Sequence, residues 1–372
     1  SDFGAGLAVL AAAGLYLTNN LQPWMVILIN LWMSAFNCLM WPAYTATVTL
    51  LVPKKQYGRA NGLVQLGEAI PQIAGPALAG ALYVAIHVGN MALIDFVTYL
   101  FSVLLLLFFV RIPRPPQTVD GQQAKGSIWK EMRFGWDYIV ARKGLLSLLM
   151  FFLAINLISG VMQPLFIPLI LDNWDAGVLG YISTIMGIGM LVGTLIMSAW
   201  GGSKRKVYTL LGANLVSSFF LAAIGLRASI PLLAVCGFGF MLTAPLVNAS
   251  SQAIWQAKVA PDVQGRVFAA RRAISWSTGI AAPLLAAPLA DYVFKPAMSE
   301  GGALVPLFGP IFGIGAGRGV GVLISLLGLL LVAVTLLAFS NRTIRRVELD
   351  LPDHVIDPAP KDPGILEEPA RG

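Results

Sequence analysis

Ten stretches of apolar sequence, separated by short polar loops, dominate this chain. About 20 apolar residues in a helix are enough to cross the hydrocarbon core of a bilayer. The chain is 57% hydrophobic and 12% charged, with a mean hydropathy of +0.76, which excludes an ordinary soluble domain. We therefore predict an all-α membrane protein with helices at 3–17, 24–45, 60–86, 91–110, 145–171, 177–200, 207–226, 231–253, 266–292 and 320–339.

The basic residues are distributed unevenly between the two ends of these helices. If the first helix leaves the cytoplasm, all Lys and Arg residues except Arg227, Lys295 and Arg318 lie on or near the cytoplasmic side. This asymmetry follows the positive-inside rule and predicts a multi-pass protein of the cell membrane with a cytoplasmic C-terminus. The net charge of +7 therefore does not indicate a nucleic-acid partner, because the charges lie in short loops between helices.

One segment of the chain occurs twice. Residues 58–82 match residues 265–289 at a constant offset, with Gly58-Arg59 equivalent to Gly265-Arg266 and Pro76 equivalent to Pro283. Repeats of this kind build many secondary transporters, in which the transport pathway lies between two related halves. The repeat thus predicts two pseudo-symmetric helix bundles.

The repeat also predicts the domain organisation. We assign residues 1–110 to an N-terminal bundle, 111–143 to a cytoplasmic linker, 144–340 to a six-helix C-terminal bundle and 341–372 to a disordered acidic tail. The end of the linker has the pattern of an amphipathic helix at the membrane interface, with an ordinary solvated helix as the alternative. Four helices precede the second copy in its bundle but only two precede the first, so we expect ten of twelve helices here and an N-terminal truncation.

The two copies carry a family resemblance. Trp41–Leu82 (WPAYTATVTLLVPKKQYGRANGLVQLGEAIPQIAGPALAGAL) and Ala260–Asp291 (APDVQGRVFAARRAISWSTGIAAPLLAAPLAD) resemble the major facilitator superfamily permeases, in the branch with macrolide-efflux and siderophore-export permeases. The resemblance implies a secondary transporter with two six-helix bundles that alternate in exposing a central cavity, and it implies no enzymatic activity.

A proline step in the first copy resembles the antiporter motif of this family. Gly75-Pro76 and Gly80 correspond to the family form Gly-Pro-x-x-Gly-Gly, although Ala79 replaces one glycine. Small residues allow close helix packing and proline bends a helix, so these residues and Pro283 are candidates for a helix hinge. Plain close packing is the alternative.

Glu68 is the candidate for proton coupling. It shares one helix face with Asn61, Gln65 and Gln72, and it lies within the expected hydrocarbon zone. A carboxylate there is costly unless it faces protein or a water-filled cavity, so it is suited to exchanging a proton. The alternative is a structural glutamate held by hydrogen bonds near the cytoplasmic end.

Two further polar stripes are candidates for lining a substrate cavity. The resemblance implies that these stripes line the cavity, because the helices that carry them correspond to the family's fourth and seventh helices. The alternative is that the polar side chains join neighbouring helices by hydrogen bonds. The cavity candidates on these stripes and on the Glu68 helix are Asn30, Ser34, Asn37, Trp41, Gln65, Gln72, Asn156, Ser159 and Gln163. Arg271 and Arg272 either extend to the cytoplasmic surface or supply an anion contact or counter-charge to Glu68.

These features together predict a monomeric exporter of small amphipathic molecules, such as drugs or secondary metabolites, driven by proton antiport. An uptake symporter, a lysophospholipid flippase of the same fold and a non-transporting membrane sensor remain open alternatives. The sequence contains no Walker motif, no His/Cys cluster and no nucleophile elbow, so we predict no cofactor, no metal site and no enzyme.

Overall fold

The protein is described by a computed structural model, which covers residues 22–67, 69–71 and 128–353 together with isolated positions in 14–18 and 94–108. The predicted helices 3–17 and 91–110, and the second half of helix 60–86, fall mostly outside these described residues.

The described residues form helices and irregular connections. They are α1 (Pro23–Leu51), α2 (57–67, helical again at 69–71), α3 (Ile128–Ala141), α4 (Lys143–Leu171), α5 (Ala176–Trp200), α6 (Lys206–Ile224), α7 (Ile230–Lys258), α8 (Gln264–Pro288), α9 (Val305–Phe312), α10 (Ala316–Ser340), α11 (Arg342–Arg345) and α12 (Val347–Asp350). A π-helical segment, Leu289–Phe294, continues α8 to Met298.

Within this part of the chain, six helices are long and apolar enough to cross a membrane: α4, α5, α6, α7, α8 with its extension, and α10. The all-α prediction is thus confirmed, whereas the total of ten spans stays a prediction. The ends of α5 show how the sequence sets helix limits. Asp175 caps the first turn by accepting a hydrogen bond from the Val178 amide at 3.0 Å, and Gly201 ends the helix at φ 75°.

Small residues hold the C-terminal bundle together. A Cβ atom added to Gly193 of α5 would lie 2.0 Å from the carbonyl oxygen of Leu242 in α7, so these two backbones are in direct contact. Gly328 of α10 is equally close to α6, because an added Cβ would lie 2.2 Å from the amide nitrogen of Ala222. Close backbone approach through small residues is the usual packing of membrane helices.

The linker helix α3 packs on the start of α8. Tyr138 and Ile139 are buried, and an added Cβ on Gly135 would lie 2.7 Å from the carbonyl oxygen of Arg266. Arg266 also pairs with Glu131 of α3 at 3.3 Å. The opposite side of α3 exposes apolar side chains at helical spacing: Met132, Trp136 and Val140. An exposed apolar stripe of this kind suits a helix lying at a membrane interface.

The predicted disordered tail is wrong for residues 341–353, which are folded. Ile344 and Val347 are buried against the core of the C-terminal bundle, and the Glu348 carboxylate accepts hydrogen bonds from the Lys206 and Val207 amides at 3.1 and 2.9 Å. The polar composition of the tail indicated disorder, but two of its apolar side chains are buried by the bundle and one of its carboxylates caps the first turn of α6. Residues 354–372 lie outside the described residues.

Candidate functional site

Two adjoining cavities lie between α4, α7 and α8, and the first of them also contacts α1 and α2. The first has a volume of about 320 Å³ and contacts both bundles, through Thr45, Asn61 and Gln65 on one side and Asn156, Gln252 and Arg271 on the other. The second has a volume of about 650 Å³ and is lined by residues of the C-terminal bundle, including Ser159, Gln163 and Met241. Asn156 and Ser275 line both cavities, so the two spaces are neighbours.

A group of buried polar residues joins α1, α2 and α7 beside the first cavity. Asn61 of α2 donates to the Oε1 of Gln256 in α7 at 2.7 Å, and Gln256 donates to the carbonyl oxygen of Thr45 in α1 at 3.1 Å. All three residues are buried. We call Thr45, Asn61 and Gln256 the polar seal. Because buried polar groups are costly to leave unpaired, these bonds stabilise the contact between the two bundles.

The shared glycine of the repeat has different surroundings in its two copies. A Cβ atom added to Gly58 would lie 1.9 Å from the carbonyl oxygen of Gly201, at the end of α5, whereas a Cβ atom added to Gly265 would have nothing within 4 Å. Gly62, one turn after Gly58, is similarly close to Ser198 of α5. The first copy therefore uses small residues to bring the N-terminal bundle against the C-terminal one.

Beyond the polar seal, an acidic residue bridges two lysines. Asp353 pairs with the buried Lys258 at the end of α7 at 2.9 Å, and it also pairs with Lys54 between α1 and α2. We call Lys54, Lys258 and Asp353 the latch, and the end of the molecule that carries it the basic face. Burial opposes ionisation of Asp353, but the hydrogen bonds and charges of Lys258 and Lys54 outweigh burial and lower its pKa.

Tyr57 lies under the latch. Its hydroxyl group donates to the carbonyl oxygen of Thr49 at 3.2 Å, and the side chain is 3% exposed. Burial, together with the negative charge of Asp353, raises the pKa of Tyr57 to about 12. The phenol thus stays neutral and keeps its hydrogen bond at any physiological pH.

Arg271 is held in the wall of the first cavity. Its guanidinium group donates to Gln252 and to Ser251, both at 3.1 Å, and lies 4.8 Å from the Trp255 ring centroid and 5.8 Å from that of Phe152. These contacts are to neutral amide, hydroxyl and aromatic groups. A guanidinium group has five N–H donors, so Arg271 retains donors for an oxygen-rich ligand in the cavity. Arg271 therefore does not extend to the surface.

In the described part of the chain, several of the residues predicted to form the site line the cavities, and others do not. Gln65, Asn156, Ser159, Gln163, Arg271 and Arg272 line one or both spaces. Asn30 is exposed and lines neither, and Pro283 is an exposed residue of α8. Ser34, Asn37 and Trp41 lie in helix α1, but their side chains are outside the described part of the structure. Glu68, Gln72, Gly75, Pro76 and Gly80 also lie outside the described residues.

The sequence analysis missed one polar stripe. Asn248, Gln252 and Gln256 are spaced four residues apart on α7, so they share one face. Asn248 and Gln252 line the first cavity and Gln256 belongs to the polar seal. The spacing alone could have identified them, because the same criterion selected the stripes on α1, α2 and α4.

Apolar membrane spans packed around a polar cavity are the arrangement of a membrane transporter. The sequence profile of the Major Facilitator Superfamily matches residues 3–283, and this chain belongs to that family.

Two similar proteins support this assignment. The chain is 28% identical over 275 residues to macrolide efflux protein A of Enterococcus faecalis, covering 71% of this chain and 84% of the relative. It is likewise 28% identical to macrolide efflux protein A of Streptococcus pyogenes, covering 71% of this chain and 67% of that protein. The resemblance to the macrolide-efflux branch is thus confirmed.

The fold is also similar to a solved structure, that of the human organic anion transporter MFSD10 (TETRAN). The TM-score is 0.58 at 17% identity, covering 89% of this chain and 75% of that one. At this identity the similarity supports the fold alone.

Proposed function

We propose that this protein exports a small, amphipathic, oxygen-rich molecule from the cell by proton antiport. The observation that carries the proposal is the polar cavity lined by both bundles, with the Asn61–Gln256 hydrogen bond joining the bundles on the side of the basic face. The positive-inside rule makes the basic face cytoplasmic, so the C-terminus is cytoplasmic as well. A cavity closed on that side is the arrangement from which an exporter releases its substrate outward.

The cavity lining favours an amphipathic substrate. The carboxamides of Asn156 and Gln252 and the guanidinium of Arg271 lie beside the aromatic rings of Phe152 and Phe268. Apolar walls bind a hydrophobic skeleton, while a few fixed donors orient its oxygen atoms. Macrolide antibiotics combine a large apolar ring with many hydroxyl and carbonyl groups, and two relatives are named for their efflux. A macrolide is therefore the first substrate to test.

Glu68 is the proposed proton carrier. In the sequence it follows Gln65, which lines the first cavity, by three residues. A carboxyl group there would exchange a proton with water when the cavity opens, and its charge would be offset by Arg271 or Arg272 across the same cavity. The proposal couples outward release of substrate to proton uptake by Glu68, in a monomer at the cell membrane.

The test is transport of a labelled macrolide into inside-out proteoliposomes with an acidic interior. Wild-type protein is expected to accumulate substrate when the pH gradient is present, and Glu68→Gln is expected to lose this gradient dependence. Glu300→Gln, which neutralises an exposed carboxylate of a loop, is the matched control and should behave as wild type. Full gradient-driven export by Glu68→Gln at equal expression would remove Glu68 from the mechanism.

Reversing the gradient separates the remaining possibilities. Accumulation only with an alkaline interior would identify an uptake symporter. Movement of a labelled lysophospholipid without macrolide transport would identify a flippase. A folded protein that moves neither substrate under any gradient would contradict transport and favour a sensor.

A further inference from the structure

A third cavity lies on the basic face, away from the pathway between the bundles. Its volume is about 400 Å³, and it lies between the start of α6 and the helices that follow α10. It is lined by Arg205, Tyr208, Arg342, Arg345, Arg346 and Leu349. Four of the six lining residues are arginines, and none is acidic.

The positive charge in this cavity is not neutralised by the described part of the protein. Among the described residues, none of the four guanidinium groups forms an ion pair, and the Nε atom of Arg345 is buried without a hydrogen-bond partner. The nearby acid Glu348 is already engaged, because its carboxylate accepts from the amides of Lys206 and Val207. Four like charges around a cavity repel one another, so an anion bound among them would be strongly stabilised.

The position of the cavity indicates where that anion comes from. Helix α6 begins at Lys206, just after Arg205, and helix α10 ends at Ser340, just before the other three arginines. All four arginines therefore lie just beyond the apolar spans. Two exposed apolar or aromatic side chains, Tyr208 and Leu349, line the same space and are 41% and 57% exposed. Basic side chains next to an exposed aromatic ring at the end of a membrane helix are typical of the phospholipid headgroup level.

We propose that this cavity binds the phosphate group of an anionic phospholipid. Guanidinium groups match phosphate oxygens through paired N–H donors, and Arg345 supplies a buried donor that is otherwise unused. Tyr208 and Leu349 contact the glycerol and the upper part of the acyl chains. A bound headgroup would fix α11 and α12 against the start of α6. The proposal does not depend on what the chain transports.

The test measures binding by the full chain in detergent micelles doped with one lipid at a time. Phosphatidylglycerol is expected to raise the melting temperature in a saturable manner, whereas zwitterionic phosphatidylcholine is not. Arg342→Gln combined with Arg346→Gln is expected to weaken phosphatidylglycerol binding about thirtyfold, since each of the two basic residues at a membrane surface contributes on the order of 1 kcal/mol. Both arginines are exposed, so the variant should fold.

Four results distinguish a lipid site at this cavity from binding elsewhere or by a different anion. Arg227→Gln removes an exposed arginine near the opposite end of α6 and should leave lipid binding unchanged. Inorganic phosphate that stabilises as well as phosphatidylglycerol would overturn the lipid assignment in favour of a free anion. Equal lipid binding by the Arg342/Arg346 double variant and wild type would overturn the site. Saturable lipid binding that appears only after deletion of residues 354–372 would overturn the proposal for the intact chain, because it would show that the acidic tail occupies the arginine-lined cavity.

Discussion

Lys258 and Asp353 form an ion pair of 2.9 Å, although one ends α7 and the other follows the last transmembrane helix. The Lys258 side chain is 2% exposed, and it also donates to the carbonyl oxygens of Glu348 and Leu351. Asp353 in turn reaches Lys54 of the N-terminal bundle. The segment after α10 thus connects the two bundles on the basic face.

Removing the charge of Asp353 should favour opening of the basic face. Asp353→Asn keeps the side-chain size but weakens both ion pairs, and partly exposed pairs contribute about 0.5–1 kcal/mol. We expect labelling of a cysteine at Asn248, in the first cavity, to become about two- to fivefold faster with a membrane-impermeant thiol reagent applied from the basic face. Asp350→Asn, a neighbouring exposed acid, is the control. Equal labelling of all three proteins would show that the latch does not control access.

The latch should be insensitive to pH in the physiological range. The folded protein lowers the pKa of Asp353 from its ordinary value of 3.8, so its stabilising contribution is complete above that value and is lost as pH falls through the folded pKa. The melting-temperature difference between wild type and Asp353→Asn should therefore be constant from about pH 5.5 to 8. It should shrink only below about pH 4, and a decrease near pH 6 would contradict this assignment.

The repeated glycines should respond differently to the same substitution. Gly58→Ala places a Cβ 1.9 Å from the Gly201 carbonyl oxygen, so α2 must move away from α5, at a cost of about 1–3 kcal/mol. Gly265→Ala meets open space in a helix and should be neutral, or stabilising by up to about 1 kcal/mol. Thermal unfolding of both variants in one detergent measures the difference. Equal stability of the two would indicate that the α2–α5 contact is not formed in solution.

The polar seal should show energetic coupling between its two bundles. Asn61→Ala and Gln256→Ala each leave a buried partner without its hydrogen bond, so we expect each to cost about 1–3 kcal/mol. Their effects should not add, with a coupling of about 0.5–1.5 kcal/mol in a double-mutant cycle of unfolding free energies. A second cycle that combines Asn61→Ala with Asn173→Ala is the control, because Asn173 is bonded to Arg318 instead. In that cycle the two changes in unfolding free energy should add. Additivity in the first cycle would exclude the direct bond.

Arg271 should contribute to substrate recognition through both charge and shape. Arg271→Gln removes the cation, whereas Arg271→Lys keeps the charge but loses the planar group beside Trp255 and the fork that bonds Gln252 and Ser251. We expect kcat/KM for export to fall about tenfold or more with Gln and less with Lys. Arg318→Gln, outside both cavities, is the control in the same transport assay. Unchanged export by Arg271→Gln would place the arginine in a structural role.

The fold class and the positions of most described helices could be predicted from local sequence features. Long apolar runs must become helices in a membrane, and their ends are marked by local features such as Asp175 and Gly201, which act within one turn. The polar stripe with Asn156, Ser159 and Gln163 could also be predicted, because spacings of three and four residues place side chains on one helix face. These features depend only on neighbours in the chain.

Contacts between distant segments were decided by the tertiary structure alone. The polar composition after Ser340 indicated disorder, but Ile344 and Val347 are buried in a bundle whose other residues lie far away in sequence. The pairing of Asp353 with Lys54 and Lys258 likewise has no local signal. Gly58 and Gly265 are identical in the repeat, yet only Gly58 meets another backbone, because packing between the bundles breaks the symmetry that the sequence preserves.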